Sequence, residues 1–190
     1  MNIKKYIQDS IETKNKILQN ESILSEIDKI INAIVTAYRN GKKVLTAGNG
    51  GSAGDAQHIA GELVSKFLLN RPALSAFALT TNSSVITSIC NDSSYENSFS
   101  RQIQANANEG DIFIAISTSG NSANIISALE EVKKKNVVTI GLTGENKYNM
   151  DKYCDYIIHV PSSVTPIIQE SHIMLGHIIC ASVEKQMFGQ

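Results

Sequence analysis

A three-layer α/β/α sandwich built on a five-stranded parallel sheet is the fold class this sequence predicts, and three observations predict it. Short runs rich in β-branched residues alternate with stretches of helical periodicity along the chain. Most of those runs, such as DIFIAIS at 111–117 and VVTIGLTG at 137–144, are apolar throughout rather than alternating, which suits strands covered on both faces. Two of the runs end in turns of small polar residues that lead directly into helices, Gly48–Ser52 and Ser117–Ser122. In such sheets ligands bind beyond the C-terminal ends of the strands, near the switch in strand order.

The elements follow in order. Residues 3–19 carry Ile3, Ile7, Ile11, Lys14 and Leu18 near helical spacing, on an otherwise polar surface. Residues 22–39 repeat the pattern with Leu24, Ile27, Ile31, Ile34, Val35 and Tyr38, and Gly41 supplies the stop. Lys43–Ala47 is the first strand, and Ser52 is the expected N-cap of a helix running to about Phe67. Pro72 marks a connection, and Ala73–Leu79 reads as the second strand. Two short helices, broken around Asn91–Ser94, fill the next stretch. Asp111–Ser117 is the third strand, followed by an amphipathic helix whose basic end suits its dipole. Val137–Gly144 and Tyr156–Val160 complete the sheet. Thr165-Pro166 then opens a last helix, with proline at its first position, that runs to about Phe188.

A chain of 190 residues has the length for one domain with a full core. Residues 1–190 are therefore read as a single unit, with helices in 1–40 packing on it and on a neighbouring subunit. A formal net charge of −1 provides no basic field, so neither nucleic acid nor a membrane surface is an expected partner. No apolar run approaches the roughly 20 residues that span a bilayer. The amphipathic N-terminal segment lacks the apolar centre of an export signal, which points to a cytoplasmic location. Cys90, Cys154 and Cys180 are odd in number and lack Cys-x-x-Cys spacing, so they read as reduced, buried thiols.

The first turn, Gly48-Asn49-Gly50-Gly51-Ser52, joins a strand to a helix start, where glycines admit positive φ and let an anion approach backbone N–H groups. It matches G-x-G-x-x-A formally, but the second strand ends Ala78-Leu79-Thr80-Thr81 without the acid a dinucleotide ribose needs. No G-x-x-x-x-G-K-[ST] is present either. The second turn places Ser117, Thr118, Ser119 and Ser122 around Gly120 at a helix start, a pattern that suits a phosphate monoester. His58 and Glu62 share a helix face at i and i+4. Gln169, Glu170, His172 and His177 interrupt an apolar last helix and are the partners that a buried His and carboxylate would need.

These segments, AGNGGSAGDAQHIAGEL, Asn91-Asp92, STSGNSAN at 117–124 and QESHIMLGH at 169–177, together resemble the sugar isomerase (SIS) domain family over essentially the whole chain. The resemblance implies a flavodoxin-like sandwich with an N-terminal helical extension. It also implies a ketose–aldose isomerase that converts D-sedoheptulose 7-phosphate to D-glycero-D-manno-heptose 7-phosphate, the first step of activated heptose synthesis for lipopolysaccharide core or capsule. A cytoplasmic homotetramer with one Zn2+ per subunit and sites near subunit contacts is implied as well. Matched by position, Asn49, Gly50, Gly51, Ser52, Asn91 and Asp92 would bind the sugar, and Ser117, Thr118, Ser119 and Ser122 the phosphate. His58, Glu62, Gln169 and His177 match the zinc ligands. Glu62 and Gln169 would also face substrate, with Glu62 as base and His177 as acid. Pro166 departs from the family, whose members often carry an acid there. An isomerase of another sugar phosphate, or a non-enzymatic SIS binding protein, is the alternative, and the presence of both Glu62 and His177 favours the enzyme.

Such an isomerisation removes a proton beside a carbonyl and returns it to the neighbouring carbon through an enediol, which calls for a carboxylate base and a positive partner for the enediolate oxygen. Two geometric tensions accompany the ligand set. Four protein ligands leave a tetrahedral ion no open position. Gln169 and His177 stand about 12 Å apart along a regular helix, and His172 is the histidine that would displace this assignment.

Overall fold

The computed structural model describes residues 2–189. The chain runs α1 (Ile3–Leu18), α2 (Glu21–Arg39), β1 (Val44–Gly48), α3 (Gly51–Val64), β2 (Ala76–Ala78), α4 (Ser83–Asp92), α5 (Ser100–Asn106), β3 (Ile112–Ile116), α6 (Ala123–Lys133), β4 (Val138–Thr143), β5 (Tyr156–His159) and α7 (Thr165–Phe188). All five strands are parallel in the order β2-β1-β3-β4-β5. This is the flavodoxin-like order, whose switch point lies between β1 and β3.

Successive side chains of a strand face opposite sides of the sheet, and the two cores follow from that alternation. Ile112, Ile114 and Ile116 meet α2, α3 and α7 on one face, while Phe113 and Ala115 meet α5 and α6 on the other. Both β1 and β3 are buried along their whole length, as continuous apolar runs require. Asn20 caps α2 by accepting the N–H groups of Ser22 and Ile23, and Gly41, at φ +69°, turns the chain out of it.

Several boundaries differ from the sequence reading. The second strand is shorter than Ala73–Leu79: three residues pair, only with β1, and Phe77 is exposed at the sheet edge. Helix α3 starts at Gly51, so its N-cap is Gly50, and Ser52 is buried in the first turn without capping it. The same helix stops at Val64 rather than Phe67, because Arg71 folds back and donates to the carbonyl oxygens of Glu62 (2.8 Å) and Leu63 (2.8 Å). Pro166 is the second residue of α7, not the first. In α1, Ile3, Ile7, Ile11 and Leu18 are exposed, and Thr13 and Ile17 are its buried residues. The helix is tied to α7 by Lys14–Glu170 at 2.6 Å. The three cysteines are free, though only Cys180 is fully buried. Burial pushes the Cys154 and Cys180 thiols up to about 12, which makes them poor nucleophiles.

Candidate functional site

Gly48 and Ile116 pair across β1 and β3, so the two polar turns emerge side by side at the switch point. The glycine turn is shaped by two of its glycines. Gly50 adopts φ +55°, where L side chains are strained, and a Cβ on Gly48 would stand 2.4 Å from the Ser52 carbonyl oxygen. Asn49 is then locked by Asn124 in a reciprocal amide pair, at 2.8 and 2.9 Å, that joins the start of α6 to this turn. The Tyr95 hydroxyl donates to Asn49 Oδ1 at 2.7 Å and brings the segment after α4 to the same place. Asn124 is 2% exposed, and its local signal is a second Asn two residues after the serine turn.

The serine turn holds its hydroxyls inward. Ser117 Oγ lies 2.9 Å from Ser122 Oγ and 3.4 Å from Ser119 Oγ. Ser122 occupies the N-cap position of α6, yet its hydroxyl turns to Ser117 instead of capping the helix. Three hydroxyls thus converge where a helix presents the positive end of its dipole, the arrangement an anion needs. Gly120 passes under Tyr148, whose loop is tied to the turn by the Met150 N–H on the Gly120 carbonyl at 3.2 Å.

The third component comes from two helices packed in the same direction. Gly176 of α7 has no side chain where Ile59 of α3 presses in: a Cβ there would be 2.9 Å from Ile59. That close approach places His58 and Glu62 opposite His177. His58 Nε2 lies 3.0 Å from Glu62 Oε1 and 3.3 Å from His177 Nε2, and the three candidate ligand atoms all fall within 4.8 Å of one another. Two imidazole nitrogens on one tetrahedral ion, at about 2.0–2.1 Å each, stand about 3.3 Å apart. The His58–His177 spacing matches that value. Phe67 stacks on the His177 ring at 5.4 Å and 24°, and His58 meets it edge-on at 4.9 Å.

Other expected residues fall elsewhere. The Gln169 amide lies against Gly51, where a Cβ would meet its Nε2 at 2.7 Å. Gly51 precedes His58 by seven residues, about 10 Å of helix, so within one chain Gln169 stands at the glycine turn and not beside the His58–Glu62–His177 group. His172 does not approach that group either. It is fully buried, with Nε2 3.2 Å from the Thr143 carbonyl oxygen, and desolvation lowers its pKa to about 4. Ser52 packs beneath Gly48 and is closed off from the turn's surface. Asn91 and Asp92 are exposed at the end of α4 and bond to each other at 2.8 Å. Asp92 lines a separate hollow of about 560 Å³ with Ser88, Asn97 and Arg101.

Asp55, one turn before His58, was not singled out from the sequence. Its Oδ2 is buried without a hydrogen-bond partner among the described residues. Burial raises its pKa, and the His58 charge opposes that rise. Arg71 and Glu184 were also missed. They form a buried pair at 2.9 Å whose members are 113 residues apart, so no local pattern could join them.

A family model described as "SIS domain" matches residues 5–144. A phosphoheptose isomerase of Aneurinibacillus thermoaerophilus is 56% identical over 186 residues, 98% of this chain and 94% of that protein. Phosphoheptose isomerase 2 of Campylobacter jejuni is 53% identical over 188 residues, 99% of this chain and 94% of that protein. Among solved structures, a phosphoheptose isomerase from Neisseria gonorrhoeae superposes with a TM-score of 0.90 at 33% identity, covering 96% of this chain and 97% of that one.

Proposed function

The chain belongs to the phosphoheptose isomerase family of SIS-domain proteins, and from that premise we propose that it interconverts D-sedoheptulose 7-phosphate and D-glycero-D-manno-heptose 7-phosphate. The observation that carries the reading is that one chain presents both an anion-ready hydroxyl turn at the switch point and, farther along α3 and α7, a carboxylate–imidazole group. In this reading Ser117, Thr118, Ser119 and Ser122 hold the phosphate, while Asn49, Gly50 and Gly51 line the sugar. Fixing the far end of the substrate makes proton transfer at the carbonyl end effectively intramolecular. Glu62 removes the proton beside the carbonyl, and His177 supplies one to the oxygen that gains charge. Glu62 then returns its proton to the neighbouring carbon while His177 takes back a proton from the other enediol hydroxyl, which gives the aldose.

His58, Glu62 and His177 are the residues that would hold zinc, and the 3.3 Å between the two imidazole nitrogens supports an ion shared by them. When bound, zinc supplies Lewis-acid polarisation of the substrate's oxygens. Three protein donors would leave a tetrahedral ion one position for substrate. Gln169, held at the glycine turn in its own chain, is then available to substrate or to a neighbouring subunit. Self-association as a homotetramer, with sites near subunit contacts, is supported by the exposed Ile3, Ile7, Ile11 and Leu18 of α1. We place the enzyme in the cytoplasm, where its free cysteines are at home, and its product upstream of lipopolysaccharide core or capsule.

The test is turnover. Purified protein is incubated with sedoheptulose 7-phosphate and aldose formation is followed by NMR, before and after chelation and zinc restoration. Conversion that chelation abolishes and zinc restores is the expected result. A metal-replete protein that forms no aldose would falsify the substrate assignment.

A further inference from the structure

We propose that Phe67 is a positioning residue for His177, and that a buried Arg71–Glu184 pair exists to hold it there. The inference rests on the reading of His177 as a site residue. It starts from a difficulty: α3 ends at Val64, so no helix aims the Phe67 ring. The segment that follows is irregular, yet three of its consecutive N–H groups are gathered by one carboxylate. Glu184 accepts from the backbone of Phe67 at 3.0 Å, Leu68 at 2.7 Å and Leu69 at 2.9 Å, and from Arg71 Nε at 2.9 Å. Arg71 in turn donates to the carbonyl oxygens of Glu62, Leu63 and Pro72. The two side chains are 2% and 1% exposed.

A charge pair so deeply buried is costly unless its remaining donors and acceptors are satisfied. Here they are satisfied by the very segment that follows the helix of His58 and Glu62. Glu184 lies two helical turns beyond His177 on the same face of α7. The pair therefore clamps the end of α3 to α7, and Arg71 grips the backbone of Glu62 itself. Burial opposes the charge of Glu184, but the three backbone bonds and Arg71 outweigh it and hold its carboxyl below the ordinary range.

The consequence falls on an imidazole whose outer torsion is soft and roughly two-fold. With Phe67 on one face and the edge of His58 on another, the His177 ring is kept in the orientation that turns Nε2 toward His58 and Glu62. Removing the stacked ring should loosen that orientation while leaving both ligating residues in place.

The experiment compares wild type with Phe67→Leu, which keeps an apolar side chain, and Phe67→Tyr, which keeps the ring. Phe67 is only partly buried, so neither change threatens the core. Metal-free protein is titrated with Co2+ and read by its visible absorption, and kcat and KM are measured on the zinc form. We expect Phe67→Leu to weaken Co2+ binding and lower kcat, each by about tenfold, the scale seen when groups that orient metal ligands are lost. KM should stay within about twofold, and Phe67→Tyr should retain both properties. Leucine behaving as wild type, or tyrosine failing as badly as leucine, overturns the proposal. A wild type that binds Co2+ without isomerising the sugar refutes the substrate reading alone, and the Co2+ comparison still decides this one. A wild type that does neither overturns both.

Discussion

The serine turn follows the C-terminal ends of the strands and the His58–Glu62–His177 group lies farther down α3 and α7, and the two are built in opposite ways. The turn is local: Ser117, Ser119 and Ser122 meet within six residues because a strand end and a helix start force the chain to reverse there. The group is assembled from residues 119 positions apart, and it exists only because Ile59 can press into Gly176. A phosphate cradle needs many modest donors in one concave place, which a short segment can supply. Acid–base or metal chemistry needs a few atoms held within tenths of an ångström, and that precision comes from rigid helices locked by packing. The two regions should accordingly fail differently when perturbed.

The sharpest separation is expected at the chemistry. Glu62→Gln and His177→Ala should each lower kcat by about a thousandfold, in the range assigned to lost acid–base groups. Both should still bind inorganic phosphate as wild type does, measured by calorimetry. If phosphate affinity fell together with kcat, the two regions would be one cooperative unit and the contrast would be wrong.

A second effect tests the helix that carries His177. In the folded protein His172 stays neutral down to about pH 4, whereas in the unfolded chain it takes up a proton near its ordinary 6.5. Between those values the unfolded state binds more protons. The stability is therefore present in full above about pH 6.5 and is lost as pH falls toward 4, by at most about 3 kcal/mol. Denaturant melts across that window should show the decline, and His172→Leu should flatten it. A decline of equal slope in the variant would assign it to other groups.

The smallest effect belongs to the turn. Ser117→Ala removes one hydroxyl from a shared cradle, and a hydrogen bond to a charged group is worth about 1.5–3 kcal/mol. A rise in KM of about tenfold with kcat little changed is the expected signature of lost uniform binding. A kcat defect as large as that of Glu62→Gln would mean that the turn also shapes the reacting end.

The contrast also explains which parts of the molecule could be read in advance. The serine turn, the glycine turn and the pairing of His58 with Glu62 are patterns within a few residues, and the structure contains each of them. Local reasoning erred where a distant group intervened. Helix α3 was expected to reach Phe67, but Arg71 takes over the carbonyls at its end. Ser52 was expected as N-cap, but Gly50 at positive φ starts the helix earlier. Gln169 joins the zinc ligands through the family resemblance, and within this chain its amide sits against Gly51.

By itself the sequence determined the layers, the parallel sheet and the chemical character of each turn, since hydrophobic period, capping and glycine placement act over a few residues. Only the tertiary structure decided that Asn49 pairs with Asn124, that His177 rather than His172 meets His58, and that Glu184 binds the loop after α3. Those contacts depend on how two helices register against each other. Register is set by the fit of side chains such as Ile59 against Gly176, which no window along the chain contains.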